Sequence, residues 1–168
     1  MSAAMVLVCP NHPMSQTEKP TISLIITTDR ADDAFQCCLA GVSCADPPPD
    51  EVIVVMDGGD EAARQMAYSF GATVSQTPIR AGPAGARNVG ARLARGDIVF
   101  FVDADVLIPA DSVGQVAAAF RAEPHLAAVF ASYDTAPAAA NFLSQYKSLL
   151  HHYVHQSAHE EASTFWSG

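Results

Sequence analysis

Residues 80–107 read RAGPAGARNVGARLARGDIVFFVDADVL, which predicts a loop, a helix, a strand and two closely spaced carboxylates. The strand at 98–102 is an uninterrupted apolar run, of the kind that is covered on both faces in a parallel sheet. Ligands of open α/β sheets bind at the carboxyl ends of the strands, which is where Asp103 and Asp105 stand. The stretch therefore predicts one β-α-β unit with a ligand site at its edge.

Asp103 and Asp105 are candidate metal ligands. If the chain stays extended after the strand, the two carboxylates point the same way and repel each other. A divalent cation relieves that repulsion, and hard oxygen ligands suit Mg²⁺ or Mn²⁺ carrying a diphosphate. The alternative is that one carboxylate caps the following turn while the other is only solvated.

Strands and helices alternate along the rest of the chain, which indicates parallel β-α-β units. The predicted fold class is α/β, a three-layer α/β/α sandwich with a mostly parallel sheet. Residues 1–20 are predicted to be a disordered leader, and 21–168 a single domain. Further strands are expected at 21–27, 51–56, 72–76 and 126–133. Further helices are expected from an Asp32 or Asp33 cap to Val42, from an Asp60 cap to Phe70, from a start at Pro109 and Asp111 to about Ala122, and from Ala138 or Ala139 to about Gln156.

The charge balance excludes several kinds of partner. Eighteen acidic residues against nine basic ones give a formal net charge of −9. This argues against a nucleic-acid backbone or an anionic membrane surface as the main partner, so a bound cation would be needed to bring a phosphorylated ligand close. Neither zinc spacing nor the density of a disulfide scaffold is present among the cysteines, which favours a reduced, cytoplasmic chain; they are Cys9, Cys37, Cys38 and Cys44.

Hydropathy predicts no transmembrane segment. The apolar patch at 3–8 is too short to span a bilayer, and no basic residue precedes it as in a typical signal peptide. Residues 147–154 remain a candidate for peripheral contact with the inner face of a membrane through an amphipathic surface.

Gly82 and Gly85 open the helix that precedes the apolar strand. A dinucleotide-binding fingerprint needs three glycines at set offsets after the first strand, and residues 27–31 contain none. The Walker phosphate loop has no counterpart either. Two interpretations remain for Gly82: the helix start lets backbone N–H groups approach a phosphate or a nucleotide edge, or it is only a turn and helix cap.

The order and spacing of several features resemble the family 2 glycosyltransferases, which have the nucleotide-sugar-binding GT-A fold. The resemblance covers residues 21 to about 133 well, and residues 141–168 look like the approach to the family's acceptor side. The features are the strand at 22–27, the second strand with its terminal Asp57-Gly58-Gly59, the segment Gly82-x-x-x-Ala86-Arg87-Asn88-x-Gly90 through Ala94-x-Gly96-Asp97, and the pair Asp103 and Asp105.

The resemblance implies a metal-dependent, inverting transfer of a sugar from a nucleoside-diphosphate sugar, usually UDP-linked, with Mg²⁺ or Mn²⁺ as cofactor. It implies that Asp103 contacts the ribose and helps to hold the metal, and that Asp105 coordinates the metal directly. The cation would then offset charge on the leaving diphosphate.

The resemblance also implies a donor-binding set from three other segments. Thr27 would lie where the first strand meets the base, and Asp57 would accept from the imide N–H of the base. Gly82, Arg87 and Arg80 would lie near the base and the diphosphate. Each role has a structural alternative: a strand residue for Thr27, a turn residue for Asp57 and a solvated helix face for Arg87.

The sequence departs from the family pattern at both ends. The first strand is followed by Thr27-Thr28-Asp29-Arg30 instead of a Pro-x-x-Asn run, which leaves the donor preference open. The general base of the family is expected beyond Gly168, so the chain is interpreted as the donor-binding portion, truncated at the acceptor side, and Glu160 and Glu161 as surface residues. Two other functions stay open, a non-catalytic nucleotide-binding or interaction module and a sugar nucleotidyltransferase.

Four histidines near the end of the sequence are the last candidates for chemistry. Three of them are spaced four residues apart, so a continuous helix would place them on one face, a geometry able to hold zinc. The zinc-protease pattern lacks its acidic residue here, and a polar stripe that faces the acceptor or a partner is the favoured interpretation. The residues are His151, His152, His155 and His159.

Overall fold

The computed structural model describes residues 4–8 and 19–130 of the chain. The predicted last helix, its four histidines, and Glu160 and Glu161 lie outside these residues. The elements, in chain order, are β1 (Ala4–Val8), β2 (Ile22–Thr28), α1 (Asp33–Ser43), β3 (Glu51–Met56), α2 (Glu61–Ser69), β4 (Thr73–Gln76), α3 (Gly82–Leu93), β5 (Ile98–Asp103), α4 (Ser112–Ala122) and β6 (Ala128–Phe130).

These strands form one sheet in the order β4-β3-β2-β5-β1-β6. β2 pairs in parallel with β3 on one side and with β5 on the other, and β3 pairs in parallel with β4. The carboxyl ends of these four strands therefore meet at one edge, as the alternation of strands and helices predicts.

Helices cover both faces of the parallel strands. Helices α1, α2 and α4 bury Phe35, Ala67 and Phe120 in one apolar cluster together with alternate strand residues such as Leu24 and Ile26. On the opposite face, α3 packs on Ile25 and its neighbours. Each fully buried large apolar side chain contributes about 1.5–3 kcal/mol, so the two clusters hold the layers together. The predicted three-layer sandwich is confirmed.

The prediction of a disordered leader was wrong for Ala4–Val8. This segment is a strand, and it lies between β5 and β6 with antiparallel pairing to both. Its backbone satisfies the N–H and C=O groups of β5 on the side that β2 leaves open, which an unpaired strand would expose. The pairing joins segments more than ninety positions apart, such as Leu7 and Val99, and local sequence patterns carry no signal for it.

The two predicted capping interactions are present, at the starts of α1 and α2. Asp32, rather than Asp33, caps α1 by accepting from the Phe35 N–H at 2.9 Å. Asp60 caps α2 as predicted, whereas the Asp111 side chain makes no capping bond to α4. Within the described part of the chain, no helix combines the length and the hydrophobicity needed to span a bilayer.

Candidate functional site

Three of the predicted site residues meet at the carboxyl edge of the sheet. Thr27 of β2 is in register with Asp103 of β5, and the Asp57 N–H donates to the Thr28 carbonyl at 2.8 Å. A cleft of about 360 Å³ opens at this edge. Its lining comes from the ends of β2, β3 and β5 and from the start of α3: Thr27, Thr28, Asp29, Arg30, Asp32, Asp57, Pro83, Ala86, Ala104 and Asp105.

Asp103 and Asp105 do not share an extended backbone, so the condition under which their carboxylates would point the same way is not met. β5 ends at Asp103, and the chain then turns, with the Val106 N–H donating to the Asp103 carbonyl at 3.0 Å. Asp105 is exposed and lines the cleft, whereas Asp103 is half-buried. The turn thus gives the two carboxylates different surroundings.

Arg87 pairs with Asp103. Its Nη2 lies 2.5 Å from Asp103 Oδ1, and the arginine side chain is only 16% exposed. A charge-assisted bond of this length between half-buried groups fixes the carboxylate's orientation. Arg87 was predicted to lie near the base and the diphosphate. In the structure its guanidinium holds the first carboxylate of the Asp-Ala-Asp triplet.

The carboxylate of Asp57 holds the start of α3. Its Oδ1 accepts from the Thr77 hydroxyl and the Ala81 N–H, each at 2.8 Å, and its Oδ2 accepts from the Gly82 N–H at 2.9 Å. The bond from Ala81 is the main reason that the pKa of Asp57 lies below its ordinary value of 3.8, with further lowering by Thr77 and Gly82. The ionised carboxylate of Asp57 therefore fixes the start of α3.

Gly82 has the geometry of a turn and helix cap, which is one of its two predicted roles. Its φ of +71° is a left-handed conformation that glycine adopts without strain, and it is the first residue of α3. Its N–H is bound by Asp57, and the next residue, Pro83, has no N–H. The helix start is thus capped by the protein's own carboxylate, as expected at the positive end of a helix dipole.

Arg80 and Thr27 are the remaining residues of the predicted donor-binding set. The guanidinium of Arg80 is 71% exposed, and its Nη2 lies 3.4 Å from Asp29 Oδ2. It therefore bridges the loop before α3 to the loop after β2. Thr27 is half-buried and lines the cleft directly.

The loop after β2 contributes residues to the cleft that were not predicted as site residues. Asp29, Arg30 and Asp32 all line the cleft. Asp60 fastens this loop to α2, because its Oδ2 accepts from the Ala31 N–H at 2.9 Å while its Oδ1 caps the helix. The available signal was positional: these residues directly follow a buried parallel strand, as Asp57 and Asp103 do.

Cys38 lies behind this edge of the sheet but carries no reactive thiolate. Burial is the main cause that raises the pKa of its thiol to about 12, and the charge of Asp105 adds to the effect. Its Sγ donates to the Asp103 carbonyl at 3.6 Å. The three cysteines among the described residues are free thiols, and Cys38 serves as a packing residue.

The carboxylate oxygens at the carboxyl edge of the sheet suit a hard divalent cation whose remaining coordination positions are filled by a bound ligand. The Asp105 carboxylate forms no hydrogen bond or ion pair within the described residues, and Asp103 uses Oδ1 for Arg87. No group of three or more His, Cys, Asp or Glu side chains in the described part could enclose a metal. Mg²⁺ and Mn²⁺ sites of one or two carboxylates, completed by water and phosphate oxygens, match this arrangement.

Three solved structures are similar in fold to a large part of this chain. S. aureus TarS is 28% identical with a TM-score of 0.53, and the match covers 60% of this chain and 19% of TarS. The mannosyltransferase PcManGT from Pyrobaculum calidifontis, in complex with GDP-Man and Mn²⁺, is 27% identical with a TM-score of 0.54, covering 63% of this chain and 33% of that one. A mycobacterial protein is 26% identical with a TM-score of 0.50, covering 70% and 45%.

The chain spans less than half the length of each of these structures. A comparison with curated proteins finds no match. The structural matches confirm the predicted GT-A fold. The family model described as Glycosyl transferase family 2 matches residues 23–163, which is most of the sequence. The chain therefore belongs to glycosyl transferase family 2.

Proposed function

We propose that this chain is the donor-binding portion of a metal-dependent, inverting glycosyltransferase. The donor is a nucleoside-diphosphate sugar, UDP-linked as the family resemblance implies, and the cofactor is Mg²⁺ or Mn²⁺. One observation carries the proposal: the exposed carboxylate of Asp105 lines a cleft at the carboxyl edge of a parallel sheet, with a half-buried carboxylate two positions before it.

Different side chains around the cleft would bind the cation and the nucleoside of the donor. Asp103, oriented by Arg87, and Asp105 would hold the cation. Bound there, Mg²⁺ or Mn²⁺ supplies electrostatic stabilisation of the leaving diphosphate. Thr27 forms the wall beside the nucleoside. Asp57 holds the start of α3 in place and keeps capacity on its Oδ2 for one further hydrogen bond.

The family and one structural match support the nucleotide sugar and the metal. PcManGT, which shares the fold, forms a complex with GDP-Man and Mn²⁺. The preference for a uridine donor and the inverting course follow from the resemblance alone. The experiment therefore includes both nucleotides.

Calorimetric titration of the full chain with UDP and with GDP, each with and without MnCl₂, tests the proposal. We expect wild-type binding only when Mn²⁺ is present. Asp105→Ala should weaken it at least about tenfold, since it removes a direct metal ligand. The matched control is Glu123→Ala, which removes an exposed carboxylate at the C-terminal end of α4.

Binding of both nucleotides that is independent of Mn²⁺, or equal binding by Asp105→Ala and wild type, would contradict the metal assignment. No binding of either nucleotide would refute the function itself. Release of the nucleoside diphosphate from a nucleotide sugar by the chain alone, with water taking the sugar, would show that it also cleaves the sugar–phosphate bond of the donor.

A further inference from the structure

We propose that Arg30 contacts the diphosphate of the donor and is the principal cationic side chain that this chain supplies to it. The inference rests on the proposed function and deepens it, because it names a residue to which neither the sequence motifs nor the resemblance gives a role. Arg30 stands in the loop after β2, where the sequence departs from the family pattern.

Several acidic side chains line the cleft, and Arg30 adds a positive charge to its wall. Among the described residues, its lining includes the carboxylates of Asp29, Asp32, Asp57 and Asp105, and Arg30 is the only basic residue there. A diphosphate that enters such a cleft meets repulsion from every carboxylate. One cation held by Asp105 offsets part of this charge, and a guanidinium on the wall offsets more.

The other arginines near this edge, among the described residues, are less accessible to an anion in the cleft. Arg87 is largely buried and paired with Asp103. Arg80 reaches to Asp29, and it does not belong to the lining of the cleft. The start of α3 offers neither the Gly82 N–H, which Asp57 binds, nor an N–H at Pro83. Arg30 also pairs with a carboxylate, but among the described residues it is the basic side chain that both lines the cleft and stays largely exposed.

Hydrogen bonds hold the side chain and the backbone of Arg30 in place and leave N–H donors of its guanidinium unused. Its Nε lies 3.0 Å from Asp32 Oδ2, and Asp32 is itself fixed because its Oδ1 accepts from the Phe35 N–H. The Thr28 hydroxyl donates to the Arg30 carbonyl at 2.8 Å and holds the backbone. A second, longer ion pair places Nη1 4.0 Å from Asp29 Oδ1, beyond hydrogen-bonding distance. The side chain is 70% exposed, so its Nη donors are accessible to phosphate oxygens.

Arg95 provides a matched control for Arg30. Each has an exposed side chain, 81% for Arg95 and 70% for Arg30, and each lies 3.0 Å from a carboxylate. Arg95 pairs with Glu51 at the amino end of β3, the opposite edge of the sheet from the cleft. The variants Arg30→Gln and Arg95→Gln therefore remove the same charge from opposite edges.

The experiment measures the affinity of the full chain for UDP and GDP with Mn²⁺ at low and at high salt. We expect Arg30→Gln to weaken binding of whichever diphosphate the wild type prefers by about tenfold, and to reduce the loss of affinity with added salt. Arg30→Lys should keep part of the affinity, and Arg95→Gln should match wild type. The melting temperature of each variant without ligand checks the fold.

Wild-type binding that Arg30→Gln leaves unchanged overturns this inference and leaves the proposed function standing. Equal losses in Arg30→Gln and Arg95→Gln also overturn it, since they would report a general charge effect. If the wild type binds neither diphosphate, the proposed function fails and the inference fails with it.

Discussion

Asp57 shows how one carboxylate at the end of a strand can organise the loop that faces it. It accepts hydrogen bonds from Thr77, Ala81 and Gly82, all at least twenty positions away in sequence. The acceptor that the resemblance assigns to the nucleobase is therefore first of all a structural residue. The loop before α3 keeps its shape because this side chain is ionised.

The Asp57→Asn variant tests this role. The amide keeps one acceptor oxygen and turns an N–H donor toward the other partner, so one backbone N–H is left without its bond. We expect a loss of about 1 kcal/mol in the free energy of unfolding, measured by denaturant titration. Asp46→Asn, at an exposed position, is the control. Equal stability of Asp57→Asn and wild type would show that α3 does not need the carboxylate.

At the scale of elements, α3 depends on a close approach to the sheet. A Cβ atom at Gly90 would lie 2.5 Å from Ile25 Cγ2 and 3.3 Å from Val55 Cγ2. The helix can therefore rest on β2 and β3 only because this position has no side chain. Since α3 carries Arg87, its distance from the sheet also sets where the Arg87–Asp103 pair forms.

Gly90→Val should destabilise the protein by about 1–3 kcal/mol through overpacking, although valine has the better helix propensity. The control is Asn88→Val, which introduces the same side chain at an exposed position of the same helix. Thermal unfolding of both variants provides the comparison. A Gly90→Val protein as stable as Asn88→Val would mean that the helix and sheet can separate at no cost.

At the scale of the whole molecule, several acidic side chains stabilise the folded state, although the chain carries a net negative charge. Asp32, Asp57 and Asp60 each bind backbone N–H groups of other segments or of a helix start. Their pKa values lie below the ordinary 3.8, mainly because of the N–H groups of Phe35, Ala81 and Ala31, respectively. Ionised carboxylates thus stabilise the folded state.

The sign of the pH dependence follows from these shifts. A carboxyl whose pKa is lower in the folded state stabilises the protein fully above its unfolded value, near pH 4, and loses that contribution as the pH falls through the folded value. We expect the denaturant midpoint to fall between neutral pH and about pH 3. The double variant Asp32→Asn, Asp60→Asn should be less stable at neutral pH and less sensitive to acid. An acid response equal to that of wild type would contradict this role.

Much of the fold was accessible from local patterns. The apolar runs located β2, β3 and β5, and Asp60 was identified as a helix cap. The site was accessible in outline, because residues that follow parallel strands must meet at one edge. The contacts of those residues within the protein were not: no local pattern indicates that Arg87 pairs with Asp103 or that Asp57 binds the N–H groups at the start of α3.

The sequence by itself determined the order of elements from β2 to β6, the parallel part of the sheet and the family, since these depend on periodicity and on motifs of neighbouring residues. Only the tertiary structure decided that Ala4–Val8 enters the sheet beside β5, that the chain turns between Asp103 and Asp105, and that Asp57 clamps α3. The physical reason is that hydrogen bonds and ion pairs between distant segments depend on distances of a few ångströms, which strand order and packing set.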